Sequence, residues 1–181
     1  MPDSPPPSRV SSSITGIEKF VPAISQCFPD NSVLLTIEDI PTYLDRALFA
    51  LGLHTEARTS FVTYVSHASW RPNIRDNHSS PSYWLPSLLK HAYIAIRFVP
   101  QASYEEAAPM EVKPTPDLVT RVFMLFQGVK EEDLGVWSKA SERATEPASM
   151  WKDIVGVDGI RQQDESLFRV LEWGGMELPV S

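Results

Sequence analysis

The stretch Val112–Val129, V-K-P-T-P-D-L-V-T-R-V-F-M-L-F-Q-G-V, carries the strongest strand signal in the chain. Pro114 and Pro116 lack a backbone N–H, so they mark the boundary ahead of a strand and not its interior. The run that follows is rich in β-branched and aromatic residues and is apolar on both faces. This pattern is typical of a central strand that is covered on both sides. Gln127 and Gly128 are expected to end it.

Three shorter runs of β-branched and aromatic residues predict further strands. They are expected at Val33–Ile37, at Tyr93–Val99 and at Leu167–Trp173, and Gly174-Gly175 is expected to stop the last one.

Apolar stripes at helical spacing predict a helix over Ile40–Leu51 with Asp39 as its cap, and a second helix that begins at Thr55. The short link through Gly52 makes these two helices a helical hairpin. Weaker helical patterns follow at Trp84–Lys90, Ser103–Ala108, Glu131–Ala144 and Ser149–Val155, with Ser103 and Ser149 as caps.

The order of these signals is strand, helical hairpin, strand, strand, helices, strand. It indicates an α+β domain with a small, mostly antiparallel sheet and helices packed on it. The chain has 181 residues, which is enough for one domain with a real core. We expect that domain at residues 16–178, preceded by a disordered, Pro/Ser-rich tail over residues 1–15.

Charge and cysteine content limit the function classes. The formal net charge is −7, which argues against binding to nucleic acid or to an anionic membrane surface. Cys27 is the single cysteine, so no intrachain disulfide can form, and this fits a reducing compartment. We find no signal-peptide pattern and no apolar run of membrane-spanning length. The default expectation is a soluble, cytoplasmic protein.

The sequence carries no recognisable catalytic, metal or nucleotide motif. His67, Asp76 and His78 match no common spacing of metal ligands, and no base accompanies Cys27 to make it a nucleophile. His54 is expected in a surface or capping role. We therefore predict no metal and no cofactor, and the sequence leaves open whether the protein is an enzyme.

The most suggestive constellation is a set of strand arginines. Arg97, Arg121 and Arg169 each lie near the middle of a predicted strand, and Glu172 lies on the last of these strands. If the strands are neighbours, the arginines and Tyr93 could bind an anionic ligand, because guanidinium groups match carboxylate or phosphate. The alternative is that the arginines edge the sheet or pair with nearby carboxylates, which are Glu172, Glu111 and Asp117.

Two hypotheses about the function follow. The first is a non-enzymatic binding or interaction protein, whose partner is a small molecule or another protein. The second is a small enzyme, or an accessory to one, that orients an acidic small molecule through the arginine row.

Several segments together resemble a fungal protein family that has more distant bacterial relatives. They are S-F-V-T-Y (60–64), Y-W-L-P-S-L-L-K-H (83–91), Y-I-A-I-R-F-V-P-Q (93–101), P-T-P-D-L-V-T-R-V-F-M-L-F (114–126) and V-L-E-W-G-G (170–175). The resemblance spans residues 33–176. The family has no assigned activity, so the resemblance implies kinship and not chemistry. Its bacterial members carry additional strands ahead of the region that matches Val33.

Residues 65–83 interrupt the resemblance. In the family the helix ending in S-F-V-T-Y runs directly into W-L-P-S-L-L, whereas here 19 residues rich in Ser, Asn, Pro and charge separate the two. Such a long irregular segment within a domain is uncommon. The 19 codons amount to 57 nucleotides, the size of a small fungal intron. Our hypothesis is a retained intron or an error in the gene model, and the alternative is a genuine surface loop.

This hypothesis predicts that the major transcript lacks these 57 nucleotides and joins the codons of Thr63-Tyr64 to that of Trp84. Sequencing the mRNA tests it directly. A major transcript that carries the segment would show that residues 65–83 belong to the protein.

Overall fold

Four strands form one sheet in the computed structural model, which describes residues 19–66 and 91–179. The strands are β1 (Val33–Thr36), β2 (Tyr93–Phe98), β3 (Leu118–Val129) and β4 (Arg169–Glu177). They lie side by side in the order β1-β2-β3-β4. The first two neighbouring pairs are antiparallel and the last pair is parallel. This mostly antiparallel sheet with helices packed on it confirms the predicted α+β class.

Two strands, β3 and β4, continue past their predicted ends. Gln127 and Gly128 do not end β3, because they pair with Ala95 and Ile94 of β2. The pairing of the two strands continues to Val129. β3 therefore has 12 residues. Its apolar centre is where the sequence placed it.

β4 likewise runs past the predicted stop. It begins at Arg169 and continues through Gly174 and Gly175 to Glu177. A Cβ at Gly174 would lie 3.2 Å from the ring of Phe123, so a glycine lets the strand lie closely against that side chain. The glycine pair was expected to break the strand, and here it fits a close contact within the sheet.

In the described parts of the chain, five helices and three 3₁₀ turns connect the strands. The helices are α1 (Ile40–Ala50), α2 (Thr55–Ser66), α3 (Gln101–Ala107), α4 (Ser138–Arg143) and α5 (Trp151–Val155). The 3₁₀ turns are Glu131–Asp133, Ala148–Met150 and Arg161–Gln163. Helices α1 and α2 contact each other and form the predicted helical hairpin. The predictions for residues 1–15, for Trp84–Lys90 and for most of the 65–83 segment lie outside the described residues.

The predicted helix caps are confirmed only in part. Asp39 is the N-cap residue of α1, but its side chain makes no capping bond, and its Oδ2 accepts a hydrogen bond from the Thr36 hydroxyl at 2.7 Å. Ser103 is buried inside α3, which begins two residues earlier at Gln101 behind a proline. Ser149 lies within a 3₁₀ turn, ahead of α5.

Both faces of the sheet are covered, as the pattern of β3 predicted. Val122, Met124 and Phe126 face a core shared with α1, α2 and α5. The alternate residues Phe123 and Leu125 face a second core, which includes residues of the 20–34 segment, α3 and α4. The sheet is therefore the middle layer of three.

A buried polar contact joins α1 to α5 within the first core. Trp151 is fully buried, and its indole N–H donates to the Tyr43 hydroxyl at 2.9 Å. The Trp151 ring also meets Phe98 edge-on, with 5.1 Å between the ring centroids. A buried indole N–H needs an acceptor, so the Tyr43 hydroxyl satisfies a group that water cannot reach.

We predict that Tyr43→Phe lowers the free energy of unfolding by about 1–3 kcal/mol, because it leaves a buried donor without its acceptor. Tyr93→Phe is the matched control, since this tyrosine is half-buried at the start of β2, and we expect a change within about 0.5 kcal/mol. Denaturant unfolding followed by tryptophan fluorescence measures both. Equal losses in the two variants would contradict this role for Tyr43.

Candidate functional site

The three strand arginines do not share one face of the sheet. Arg97 lies opposite Leu125 and Arg121 lies opposite Glu172, so both arginines are on the face of the second core. Arg169 lies opposite Leu118, three residues from Arg121 along β3. An odd spacing along a strand changes the face, which puts Arg169 on the side of α1 and α2. The predicted row of three arginines does not form.

Arg121 and Glu172 form a partly buried ion pair between β3 and β4. The guanidinium is 2% exposed, and its Nε donates to a Glu172 carboxylate oxygen. Its Nη1 donates to the Ala108 carbonyl at 2.7 Å. The ring of Tyr104 lies 4.3 Å from the guanidinium carbon, and the Tyr104 hydroxyl donates to the second carboxylate oxygen at 3.2 Å. The pairing alternative foreseen for Arg121 is the one that the structure shows.

The electrostatics of this cluster favour a structural role. Burial is the largest cause that raises the pKa of Tyr104, and the nearby Glu172 charge raises it further. Burial opposes the charge of Arg121, but its hydrogen bond to Glu172 and the carboxylate charge outweigh burial and raise the arginine pKa. Tyr104 therefore keeps its proton and Arg121 its charge at neutral pH. Neither group is poised to exchange a proton in catalysis.

Arg97 and Cys27 both lie in the second core. Arg97 is 3% exposed, and the Cys27 sulfur lies 3.9 Å from the Leu125 carbonyl oxygen. Burial raises the pKa of the Cys27 thiol to about 11, although a hydrogen bond with Ser32 and the charge of Arg97 oppose the shift. A thiol with this pKa is protonated at neutral pH and is a poor nucleophile.

The predicted ligand residues are thus dispersed. Arg121 and Glu172 bind each other, and Arg97 is buried in the second core. Tyr93 and Arg169 line two different clefts.

The larger cleft, here called the β1 cleft, lies beside the edge strand β1 and between α1 and α4. Its volume is about 450 Å³. Its apolar lining comes from Leu34, Leu35, Leu134 and Ala144. The lining also holds six hydroxyl-bearing residues, which are Thr36, Thr42, Tyr43, Tyr93, Ser141 and Thr145.

One charge of each sign completes the β1 cleft. Asp39 and Arg46 stand at the two ends of the stripe that α1 presents to it. The guanidinium carbon of Arg46 lies 6.0 Å from the ring centroid of Tyr43. Sequence reasoning missed these residues, although a signal existed. Asp39, Thr42, Tyr43 and Arg46 recur at the i, i+3, i+4, i+7 spacing that puts side chains on one side of a helix.

The smaller cleft, here called the Arg169 cleft, lies at the start of β4. Its volume is about 280 Å³, and Gly52, His54, Thr120, Gln162 and Arg169 contribute to its lining. His54 has the capping role expected for it, because its Nδ1 accepts a hydrogen bond from the Ala57 N–H at 3.3 Å, in the first turn of α2. The sequence pointed to Arg169 but not to these neighbours, which come from distant parts of the chain.

Comparison with protein-family models, curated proteins and solved structures gives no match for this chain. The family resemblance therefore stays a prediction, and the sites stand on their geometry. Within residues 19–66 and 91–179, no three His, Cys, Asp or Glu side chains are grouped so that they could hold a metal ion. In the same residues, no helix combines the length and the apolar character that crossing a membrane requires. His67 and His78 lie outside this part of the chain.

We predict that Cys27 resists a thiol reagent at pH 8 in the native protein and reacts rapidly once guanidinium unfolds the chain. Fast labelling of the native protein would contradict the burial of this thiol.

The same pKa predicts a pH effect on stability. The thiol pKa is about 11 in the folded protein against an ordinary value of 9.0, so between these values the folded state binds more protons than the unfolded state. Stability should therefore fall as pH rises from 9 to 11, by roughly 2–3 kcal/mol from this group if the whole shift is realised. Cys27→Ala should remove this part of the pH dependence, measured by denaturant unfolding at each pH.

Proposed function

We propose that this chain is a non-enzymatic binding protein whose small-molecule ligand lies in the β1 cleft. The observation that carries the proposal is the cleft itself. Its volume of about 450 Å³ falls in the range of small-molecule sites, about 300–1,000 Å³. Its lining combines apolar side chains with a few polar and charged groups, which is the usual composition of such sites.

The charges of the cleft suggest the class of ligand. Asp39 and Arg46 are seven residues apart along α1, which corresponds to about 10 Å between their Cα atoms. Because both side chains line the cleft, a ligand with a cationic group at one end and an anionic group at the other would meet both. The Thr36 hydroxyl holds one oxygen of Asp39 and so orients its carboxylate. We infer an extended zwitterion such as a short peptide, with the hydroxyl groups binding its polar middle.

The same lining supports binding more than catalysis. Among the described residues, the β1 cleft contains neither His nor Cys. Its hydroxyl groups include the pair of Thr36 and Asp39, but a carboxylate is a weak base toward an alcohol and does not make it a nucleophile. Binding needs only the shape and the charges that the cleft already has.

The second hypothesis is an enzyme or accessory protein that holds an acidic molecule through the strand arginines. One of the three arginines supports it. Arg121 already has a carboxylate partner, and Arg97 lies within the second core. Arg169 is the one of the three that lines a cleft, so the proposal of an acidic ligand rests on that residue.

A thermal-shift screen followed by calorimetry tests the proposed function. The panel contains amino acids, short peptides, monoamines, monocarboxylates and polyols. We predict that the ligands that raise the melting temperature carry both charges. Arg46→Met should weaken their binding at least about tenfold, because the anionic end loses a charge-assisted contact.

Arg169→Met is the control, because it removes an exposed arginine outside the β1 cleft. It should leave binding of the zwitterion unchanged. Equal affinity in the Arg46→Met variant, or a panel in which no member binds, would contradict a zwitterion site in the β1 cleft.

A further inference from the structure

The Arg169 cleft is separate from the β1 cleft, and the two share no lining residue. It brings together the loop between α1 and α2, the start of β3, the start of β4 and the 3₁₀ turn Arg161–Gln163. Its lining includes a guanidinium and an imidazole, whereas no carboxylate contributes to it among the described residues. This is notable in a chain with 23 acidic and 16 basic residues. We propose that the Arg169 cleft binds a small oxyanion, either a phosphate or a carboxylate group.

Arg169 supplies the charge. Its side chain is exposed, and its Nη1 donates a hydrogen bond to the Gln162 carbonyl. That bond uses one of the five N–H donors of the guanidinium and orients the group, so most of the donors remain for other acceptors. A guanidinium presents two parallel donors that match two oxygens of a phosphate or a carboxylate.

His54 adds a second donor. Because its Nδ1 accepts the Ala57 N–H, the proton of the neutral imidazole lies on Nε2. The ring therefore carries an N–H at the end away from the helix backbone. His54 is exposed and contributes to the lining of the cleft, so this donor is available to a bound anion.

Gln162 and Thr120 hold the wall between these groups. The Gln162 amide nitrogen donates to the Leu51 carbonyl and to the Thr120 hydroxyl oxygen, both at 3.0 Å. Since Thr120 accepts in this bond, its own O–H proton can be donated elsewhere. Gly52 has a φ of +83°, and a Cβ there would overlap the Gln162 side chain. The wall is thus fixed by hydrogen bonds and by a close backbone contact before any ligand arrives.

Two carboxylates near Arg169 in the chain have partners of their own. Asp164 Oδ1 accepts from the Ser166 N–H at 3.0 Å and from the Ser166 hydroxyl at 2.6 Å. These two bonds lower the pKa of Asp164, and the charges of Arg169 and Arg161 contribute less. Asp117 Oδ2 accepts from the Phe168 N–H at 2.8 Å. Neither carboxylate lines the cleft, so neither one takes the place of a bound anion inside it.

The test is an NMR titration of the ¹⁵N-labelled protein, with inorganic phosphate in one series and succinate in the other, at constant ionic strength. We expect at least one anion to shift the amide signals of Gly52–Ala57, Leu118–Thr120 and Arg169–Leu171 in a saturable manner. Arg169→Met should weaken this binding at least about tenfold. Arg169→Lys, which keeps the charge but loses the fork, should weaken it by less.

Lys113→Met is the control, because it removes one exposed positive charge that lines neither cleft. It should leave anion binding unchanged, and its spectrum shows whether the variant is folded. The inference is overturned if neither anion gives saturable shifts below about 10 mM, which would be weaker than a free energy of about −3 kcal/mol. It is also overturned if the shifts map elsewhere, or if Arg169→Met binds as the wild type does. Failure here leaves the zwitterion site untouched, since that site depends on Arg46.

Discussion

The ion pair between Arg121 and Glu172 is the interaction on which the last strand of the sheet depends. The two residues lie directly opposite each other in the parallel pairing of β3 and β4. A slip of one residue would move Glu172 to the other face of the sheet and leave a guanidinium that is 2% exposed without its carboxylate. Because an uncompensated buried charge is costly, the pair favours one register over its neighbours. In that register Trp173 packs on Phe61, with 5.1 Å between the ring centroids.

The same register determines which charged side chains lie in the interior and which lie at the clefts. It commits Arg121 to Glu172 in the interior and places Arg169 at the beginning of β4, on the opposite face. With both faces of the sheet covered by apolar cores, the polar clefts lie at its margins. One is beside β1 and contains Asp39 and Arg46, and the other is at the start of β4 and contains Arg169. Arg121 and Glu172 are paired within the sheet, whereas Asp39, Arg46 and Arg169 lie at its margins, where we propose that ligands bind.

Local patterns in the sequence predict much of this fold. The two apolar faces of β3, the helical hairpin and the class of the domain all follow from periodicity, which depends on neighbours in the chain. Strand ends were less predictable, because pairing with β2 continues β3 through Gly128, and pairing with β3 continues β4 through Gly174 and Gly175. Such effects depend on partners that are far away in sequence.

The candidate sites were predictable only in part, for the same reason. The sequence placed Arg121 and Arg169 on strands, but it held no information on the register that puts them on opposite faces. The stripe that contains Asp39 and Arg46 was readable as one side of a helix. This stripe lines a cleft only because residues of α4, such as Ser141, line the same cleft. Those residues lie about a hundred positions further along the chain.

A double-mutant cycle on Arg121 and Glu172 measures the coupling between the two side chains that hold β4 in its register. The free energy of unfolding is measured for the wild type, Arg121→Met, Glu172→Gln and the double variant. We predict a favourable coupling of about 1–3 kcal/mol, so that the double variant is less destabilised than the sum of the two single variants. The partial exposure of Glu172 keeps the expected value below that of a fully buried pair. Losses that add to within about 0.5 kcal/mol would contradict the claim that this pair holds β4 in its register.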